Sequence, residues 1–319
     1  MASQAPPAVP APDAAPAARK GGRPPKRRIG TRLSTGDRVT VTLMVAIPTA
    51  LVLWLVWLPG VLSVVLSFAR WEGIGGVDTI EWIGTENYKN IFTIYPPFEP
   101  AIKHNVIWLV ALFLVPVPLG MLLAVLLDKE IRGSRFYQSS FFIPVVLSLA
   151  LVGFMWQLIY SRDQGLINEL TGGTTDWYGD PDVNLWAVLI AVCWKTTGYV
   201  MLLYLAGLKA VDPSLREAAK MDGATETQTF FRIVFPVMRP INIIVLVITF
   251  IEALRAFDIV WVVNKGRNGL ELISTLVTSN IIGEASRIGF GSALATIMLA
   301  ISSVFVALYL RIVMKGEER

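Results

Sequence analysis

Ionisable residues are scarce in this sequence, and a few of them sit inside apolar runs. Lys195 interrupts the run Val183–Leu208, and Glu252, Arg255 and Asp258 fall within a run from about Pro240 to Val263. Acids and bases so placed can move protons, pair as ions or hydrogen-bond a polar solute. Glu252, Arg255 and Asp258 recur at i, i+3 and i+6, so on one unbroken helix they form a ladder whose neighbours can pair. The ladder is expected in the outer part of its segment, either steadying the helices or lining a path for a solute. Lys195 stands roughly 18 Å into its run at 1.5 Å per residue. A lysine near a bilayer centre costs at least about 2.5 kcal/mol if unpaired, so it faces protein, as a polar pathway residue or as half of a structural ion pair. Tyr199, Phe257 and Trp261 offer aromatic faces on which a sugar ring can lie, although most membrane aromatics pack or anchor. His104 and Cys193 are the single histidine and cysteine. That excludes a His-based metal site, a catalytic triad and an internal disulfide. The scattered intramembrane charges do not by spacing alone build an enzyme's acid/base or metal constellation.

The elements that must position these residues are membrane helices. Of 319 residues, 54% are hydrophobic and only 16% charged, against about 25% charged in soluble domains. A spanning helix needs about 20 mostly apolar residues. Six segments qualify or nearly do: one within Val39–Ala69, then Asn105–Leu127, Phe136–Ser161, Val183–Leu208, Pro240–Val263 and Ile288–Leu310. Backbone polar groups in lipid must be satisfied within the segment, so the expected fold is all-α and polytopic, with six transmembrane helices.

Residues 1–38 are Ala/Pro-rich and then basic, and read as a disordered tail. The uncharged run that follows exceeds the roughly 7–15 residues of a signal peptide's apolar region, so it reads as an uncleaved first span. Lysine and arginine then set the orientation: 19 fall in the two tails and the loops 128–135 and 209–239, against 7 in the loops 70–103, 162–182 and 264–287. The positive-inside rule places both termini and the 209–239 loop in the cytoplasm. The net charge of +4 thus reports orientation in a cell membrane and not a nucleic-acid partner. The expected organisation is a basic tail at 1–38, a transmembrane domain at 39–315 with a cytoplasmic loop at 209–240, and a cytoplasmic end at 316–319.

That loop is the most informative stretch. Asp212-Pro213 supplies an N-cap and a first-turn proline for a helix to about Met221. Leu215, Ala218 and Ala219 share a face, and the alanines flatten it for close approach by another protein. Asp222-Gly223 is a turn signal, and Thr225 with Gln228 fits a capping box opening a second helix with Phe230, Ile233 and Val234 on its apolar side. Glu217 borders the small-residue face, where it can accept from a partner's arginine. Taken alone, the stretch fits an ordinary interfacial hairpin equally well.

The order Glu217-Ala218-Ala219, Asp222-Gly223-Ala224, Phe230 or Phe231, Ile233, Pro236 and Pro240 resembles the signature loop of binding-protein-dependent ABC importer permeases. Trp82-Ile83-Gly84 with Asn87-Tyr88, Phe141-Phe142-Ile143-Pro144, Trp156, Gly165 with Asn168, Trp194-Lys195-Thr196-Thr197-Gly198, Leu205-Ala206-Gly207-Leu208, Phe257-Asp258-Ile259-Val260 and Gly291-Ser292-Ala293 extend the likeness over nearly all of residues 40–315. Together they resemble the first membrane subunit of maltose-type sugar importers. The companion subunit's Trp-Asn element is absent, and Asn264-Lys265-Gly266-Arg267-Asn268 replaces the Thr-x-Gly-Gly-Pro that usually follows the Phe-Asp element.

The resemblance implies a permease for a sugar or oligosaccharide whose Glu217–Gly223 segment is a coupling helix docking on a cytoplasmic ATPase. It implies a second membrane permease subunit, two ATPase subunits holding ATP and Mg, and an external solute-binding protein. It implies no cofactor in this chain, and no Gly-x-x-x-x-Gly-Lys-Ser/Thr phosphate loop occurs in it. Two rivals stand beside this reading: an importer permease for another solute, such as glycerol phosphate (suiting Lys195 and Arg255) or a polyamine, and an ion-coupled carrier working alone, for which the 209–240 loop is dispensable.

Overall fold

A computed structural model of the chain describes residues 34–129, 132–283 and 286–317. Most of the expected tail, residues 1–33, lies outside the described residues. Its end is already helical. The Ser34 backbone N–H donates to the Asp37 carboxylate at 3.1 Å, and α1 runs from Thr35 to Val52. The first helix thus begins at Thr35 and not Val39, because cap residues, and not apolarity, set its start. At the other end the last helix runs to Glu317, past the expected boundary at 315.

The described residues fall into two units, divided after Trp54. The first holds α1. The second opens with α2 (Leu58–Leu66) and a two-residue antiparallel ribbon, β1 (Ala69–Arg70) against β2 (Glu81–Trp82). In α3 (Glu86–Thr93), buried Asn87 donates to the carbonyls of Ser67 and Ala69, at 2.9 Å each, and the Tyr88 hydroxyl meets Ser67 Oγ at 2.6 Å. The Asn87-Tyr88 element therefore ties off the end of the first span. Next come α4 (Phe98–Leu114) and α5 (Pro116–Asp128), which meet at Val115. Pro116 lacks the N–H that an unbroken helix needs. Then follow α6 (Ser134–Val146), α7 (Leu149–Ile159) and α8 (Leu166–Thr171).

The 27-residue α9 (Asn184–Ala210) is the central element. Its N-terminal half packs with Trp108, Val152 and Ile259, and its C-terminal half with Ala124, Val234 and Met238. After it come α10 (Pro213–Met221), α11 (Glu226–Thr229), α12 (Phe235–Val237), α13 (Arg239–Leu254), α14 (Asp258–Asn264), α15 (Ile273–Ile281) and α16 (Ile288–Glu317).

All six apolar segments are thus helical, and the fold is all-α and polytopic. Thr35–Leu66, Phe98–Asp128, Asn184–Ala210 and Ile288–Tyr309 are each long and apolar enough to cross a membrane. The third expected span is broken instead, α6 and α7 meeting at 101°. The bend falls where Leu147 turns extended and Ser148 Oγ accepts from the Leu151 N–H at 3.2 Å, capping α7. The fifth is broken between Leu254 and Asp258.

Candidate functional site

The 209–240 loop is built from its caps. The Asp212 carboxylate accepts from the Ser214 N–H at 2.9 Å, with Pro213 in the first turn. That backbone N–H holds the Asp212 carboxyl below its ordinary range. The far end of α10 closes as a Schellman motif: the Gly223 N–H donates to the Lys220 carbonyl at 3.1 Å, and the Ala224 N–H to the Ala219 carbonyl at 3.0 Å. Gly223 takes φ +77, which a side chain would disfavour. Thr225 and Gln228 complete their capping box, the Gln228 N–H donating to Thr225 Oγ1 at 3.3 Å and the Thr225 N–H to Gln228 Oε1 at 2.9 Å. The second helix is shorter than the pattern predicts, since α11 passes into a π-turn at Phe230–Val234 that buries Val234 and half-buries Phe230 and Ile233.

The expected flat alanine face also needs correction. Ala219 is buried, turned toward the Phe230–Val234 turn, while Ala218 is exposed. The outward face is Leu215, Glu217, Ala218 and Met221, at helical spacing. Met221 is 88% exposed, a large apolar side chain left open in a structured element. No pattern rule singles it out in the sequence.

The sequence reading also missed what braces the loop. Asp128, at the end of α5, has a 9% exposed side chain and pairs with Arg216 of α10 at 2.7 Å and with Lys209 of α9 at 3.3 Å. Arg216 donates further to the Leu208 carbonyl at 3.3 Å. The next residue, Lys129, meets Glu226 of α11 at 2.6 Å and holds its carboxyl below the usual range. Both loop helices are thereby tied to the end of α5.

A second site lies midway along α9. Lys195 reaches the α6–α7 break and donates to the carbonyls of Pro144 (3.1 Å), Val145 (2.9 Å) and Leu147. An ammonium has three donors, and all three are used on carbonyls that the bend leaves without helical partners. Those three bonds fix the ammonium at the bend, at the edge of the cavity that Glu252 also lines, and no ion pair within 4.0 Å involves it among the described residues. Gly198 makes the reach possible, since a Cβ there would stand 2.1 Å from the Phe141 carbonyl oxygen and push α6 away from α9.

Beside Lys195 lies a cavity of about 220 Å³, lined among others by Trp108, Glu252, Arg255, Phe257 and Asp258. The Glu252–Arg255–Asp258 ladder is not realised. The helix stops at Leu254 and restarts at Asp258, so the three do not share one helical face. No ion pair within 4.0 Å involves any of them among the described residues. All three are exposed. All three line the same cavity as Lys195. Trp261 stacks on Phe257 at 5.2 Å between ring centroids, whereas Tyr199 lies off this cavity. The Gln157 amide donates to the Val262 and Val263 carbonyls at 3.1 and 3.2 Å, fixing α14 against α7.

The chain is thus a polytopic helical protein with two broken spans beside α9 and a braced helical stub at one end. Residues 116–316 match the family described as binding-protein-dependent transport system inner membrane component, and the chain belongs to that family. It is therefore a permease, a transport component and not an enzyme. It is 31% identical to the sulfoquinovosyl glycerol transport system permease of Agrobacterium fabrum, over 88% of this chain and 92% of that protein. It is also 31% identical to the xylose/arabinose import permease of Haloferax volcanii, over 77% and 78%. A chain of a bacterial ABC transporter involved in import of the acidic polysaccharide alginate shares the fold, with a TM-score of 0.75 and 19% identity over 88% of this chain and 96% of that one.

Proposed function

We propose that this permease carries a carbohydrate inward through an ATP-driven importer, its α10–α11 stub receiving the stroke of a cytoplasmic ATPase that holds ATP and Mg. The named sugar permeases among its relatives support the carbohydrate class. One observation supports the coupling role: the stub is braced at its base by Asp128 and Lys129, yet its face of Leu215, Glu217, Ala218 and Met221 is left exposed among the described residues. The excess of lysine and arginine in that loop and in the tails supports a cytoplasmic position for the face. A second membrane permease completes the path, and an external solute-binding protein delivers the cargo. A bacterial alginate ABC transporter, solved in complex with an alginate pentasaccharide-bound periplasmic protein, contains a chain of the same fold and supports the binding-protein partner.

Within the path, Glu252, Arg255 and Asp258 are the cargo-facing groups. Exposed charges at mid-membrane cannot face lipid, and broken helices at that depth belong around a polar lumen. Phe257 and Trp261 supply ring faces beside them. Lys195 is not among the cargo-facing groups, which removes part of the case for a phosphate cargo. Co-purification tests the docking: an ATPase subunit should follow the tagged wild-type chain and be lost from Met221→Arg. Equal recovery with both would overturn the docking role.

A further inference from the structure

The turn at which this chain departs from the family pattern lines a separate cavity, of about 580 Å³, bordered by Trp261, Lys265, Arg267, Glu271 and Arg287. That is within the usual range of roughly 300–1,000 Å³ for small-ligand sites. The cavity lies away from the α10–α11 stub. The Asn184 amide at the start of α9 donates to the Asn268 carbonyl at 2.5 Å, so the turn sits at that end of α9. The stub leaves the other end, about 40 Å away at 1.5 Å per residue.

The basic residues here are held in place. Asn264 Oδ1 accepts from the Gly266 and Arg267 N–H groups at 3.1 and 3.2 Å, and its amide donates to the Arg267 carbonyl at 2.6 Å. Asn268 donates to the Gly179 carbonyl at 2.6 Å, pinning the turn to the neighbouring loop. Lys265 and Asn268 take φ +58 and +51, conformations that cost energy outside glycine. Arg287 is fixed by a 2.8 Å bond to Asn280 Oδ1 and lies over the Phe290 ring at 4.9 Å. The side chains of Lys265 and Arg267 are exposed and make no ion pair among the described residues. The described acid in the lining, Glu271, is already engaged by the Gly269 N–H at 3.2 Å from both oxygens. Among the described residues of the lining, Lys265, Arg267 and Arg287 stand against one carboxylate, Glu271, which also lies 3.8 Å from His104, beside the indole of Trp261.

We infer that this cavity is an entry site for a carbohydrate bearing an acidic group: Trp261 takes the ring face, and Lys265, Arg267 and Arg287 take the carboxylate or sulfonate. The inference rests on the carbohydrate reading above and narrows it to an anionic sugar. Guanidinium and ammonium groups form their strongest hydrogen bonds with such oxyanions, and Trp261, through its stack on Phe257, leads from this cavity toward the mid-membrane one.

The assembled importer, purified through a tag on this chain into discs of phosphatidylcholine, tests it by calorimetric titration with sodium glucuronate and with glucose. Glucuronate is expected to bind at least about tenfold tighter than glucose, and more weakly as salt rises. The double variant Lys265→Met/Arg267→Met should lose that preference, and Lys265→Arg/Arg267→Lys should keep most of it, which separates charge from folding. Equal affinity for the two sugars in the wild type overturns the inference and leaves the carbohydrate reading standing. Binding of neither, in an importer that also takes up no neutral sugar, overturns both. Loss of glucuronate binding when phosphatidylglycerol is added to the discs would give the site to a lipid headgroup and overturn it. So would weaker capture of the solute-binding protein by the methionine variant with glucuronate binding intact, which would make the turn a protein-docking surface.

Discussion

The Asp128 carboxylate accepts from the Arg216 guanidinium at 2.7 Å and joins the end of one membrane helix to the helix that stands out from the bundle. The two residues are 88 positions apart. The pair ties α10 to α5, and α5 packs along α9, which carries Lys195 beside the α6–α7 break.

Asp128→Asn should uncouple more than it unfolds. Removing the charge leaves Arg216 with the Leu208 carbonyl and a neutral amide oxygen in place of a carboxylate, at a cost of about 1–3 kcal/mol, and loosens α10 from α5. ATP hydrolysis by the assembled importer should continue while solute uptake per ATP falls severalfold. The exchange Asp128→Arg with Arg216→Asp should recover part of the coupling. Unchanged uptake per ATP in Asp128→Asn would show that the brace transmits nothing.

Lys195→Met should act on stability. It leaves the carbonyls of Pro144, Val145 and Leu147 without the ammonium that serves them at the bend, and an orphaned buried carbonyl costs about 1–3 kcal/mol. A lowered Tm of the purified protein is expected, with Lys195→Arg intermediate. A Tm equal to wild type would return Lys195 to the transport path.

Asp258→Asn and Glu252→Gln should do the reverse. Neither residue is held by an ion pair among the described residues, so Tm should stay within about a degree while the apparent KM for uptake rises severalfold. A large fall in Tm with unaltered transport would mark them as structural. This contrast between Lys195 and its neighbours across one cavity separates scaffold from path.

Acid should spare the Lys129–Glu226 brace. The lysine holds the Glu226 carboxyl below its ordinary 4.5. A lowered pKa means that the stabilisation is present above the unfolded-state value and is lost only as pH falls through the lower folded value. Protease resistance of the loop should be flat from neutrality down to about pH 5 and decline only below the ordinary glutamate range. A decline beginning above pH 5 would contradict the brace.

What the sequence made legible was local. Asp212, Pro213, Gly223, Thr225 and Gln228 act within a few residues of themselves, so caps and turn could be read directly, and six apolar runs gave six helical segments. The breaks were harder. Leu254-Arg255-Ala256-Phe257 contains neither proline nor glycine, so nothing local announces that the fifth helix stops there, and the charge ladder drawn on it was an artefact of assumed continuity. The α6–α7 bend had a cue in Ser148, masked by an unbroken apolar run. Lys195 could not be assigned from sequence, because its partners lie about fifty residues away and are backbone carbonyls, which carry no signature. Asp128 and Met221 were missed for related reasons: one acts at long range, and the other matters by what does not cover it.

The central claim is that the Glu217–Gly223 face receives the ATPase. Gly223→Pro removes the left-handed turn and the N–H given to Lys220, and Glu217→Lys reverses the charge on the exposed face. The most direct measurement is ATP-driven solute uptake into vesicles bearing the assembled importer with each variant, normalised to the amount of inserted chain. Uptake should fall to background in Gly223→Pro and at least about tenfold in Glu217→Lys, with insertion unchanged. Wild-type uptake with normal ATPase recovery in both variants would contradict it.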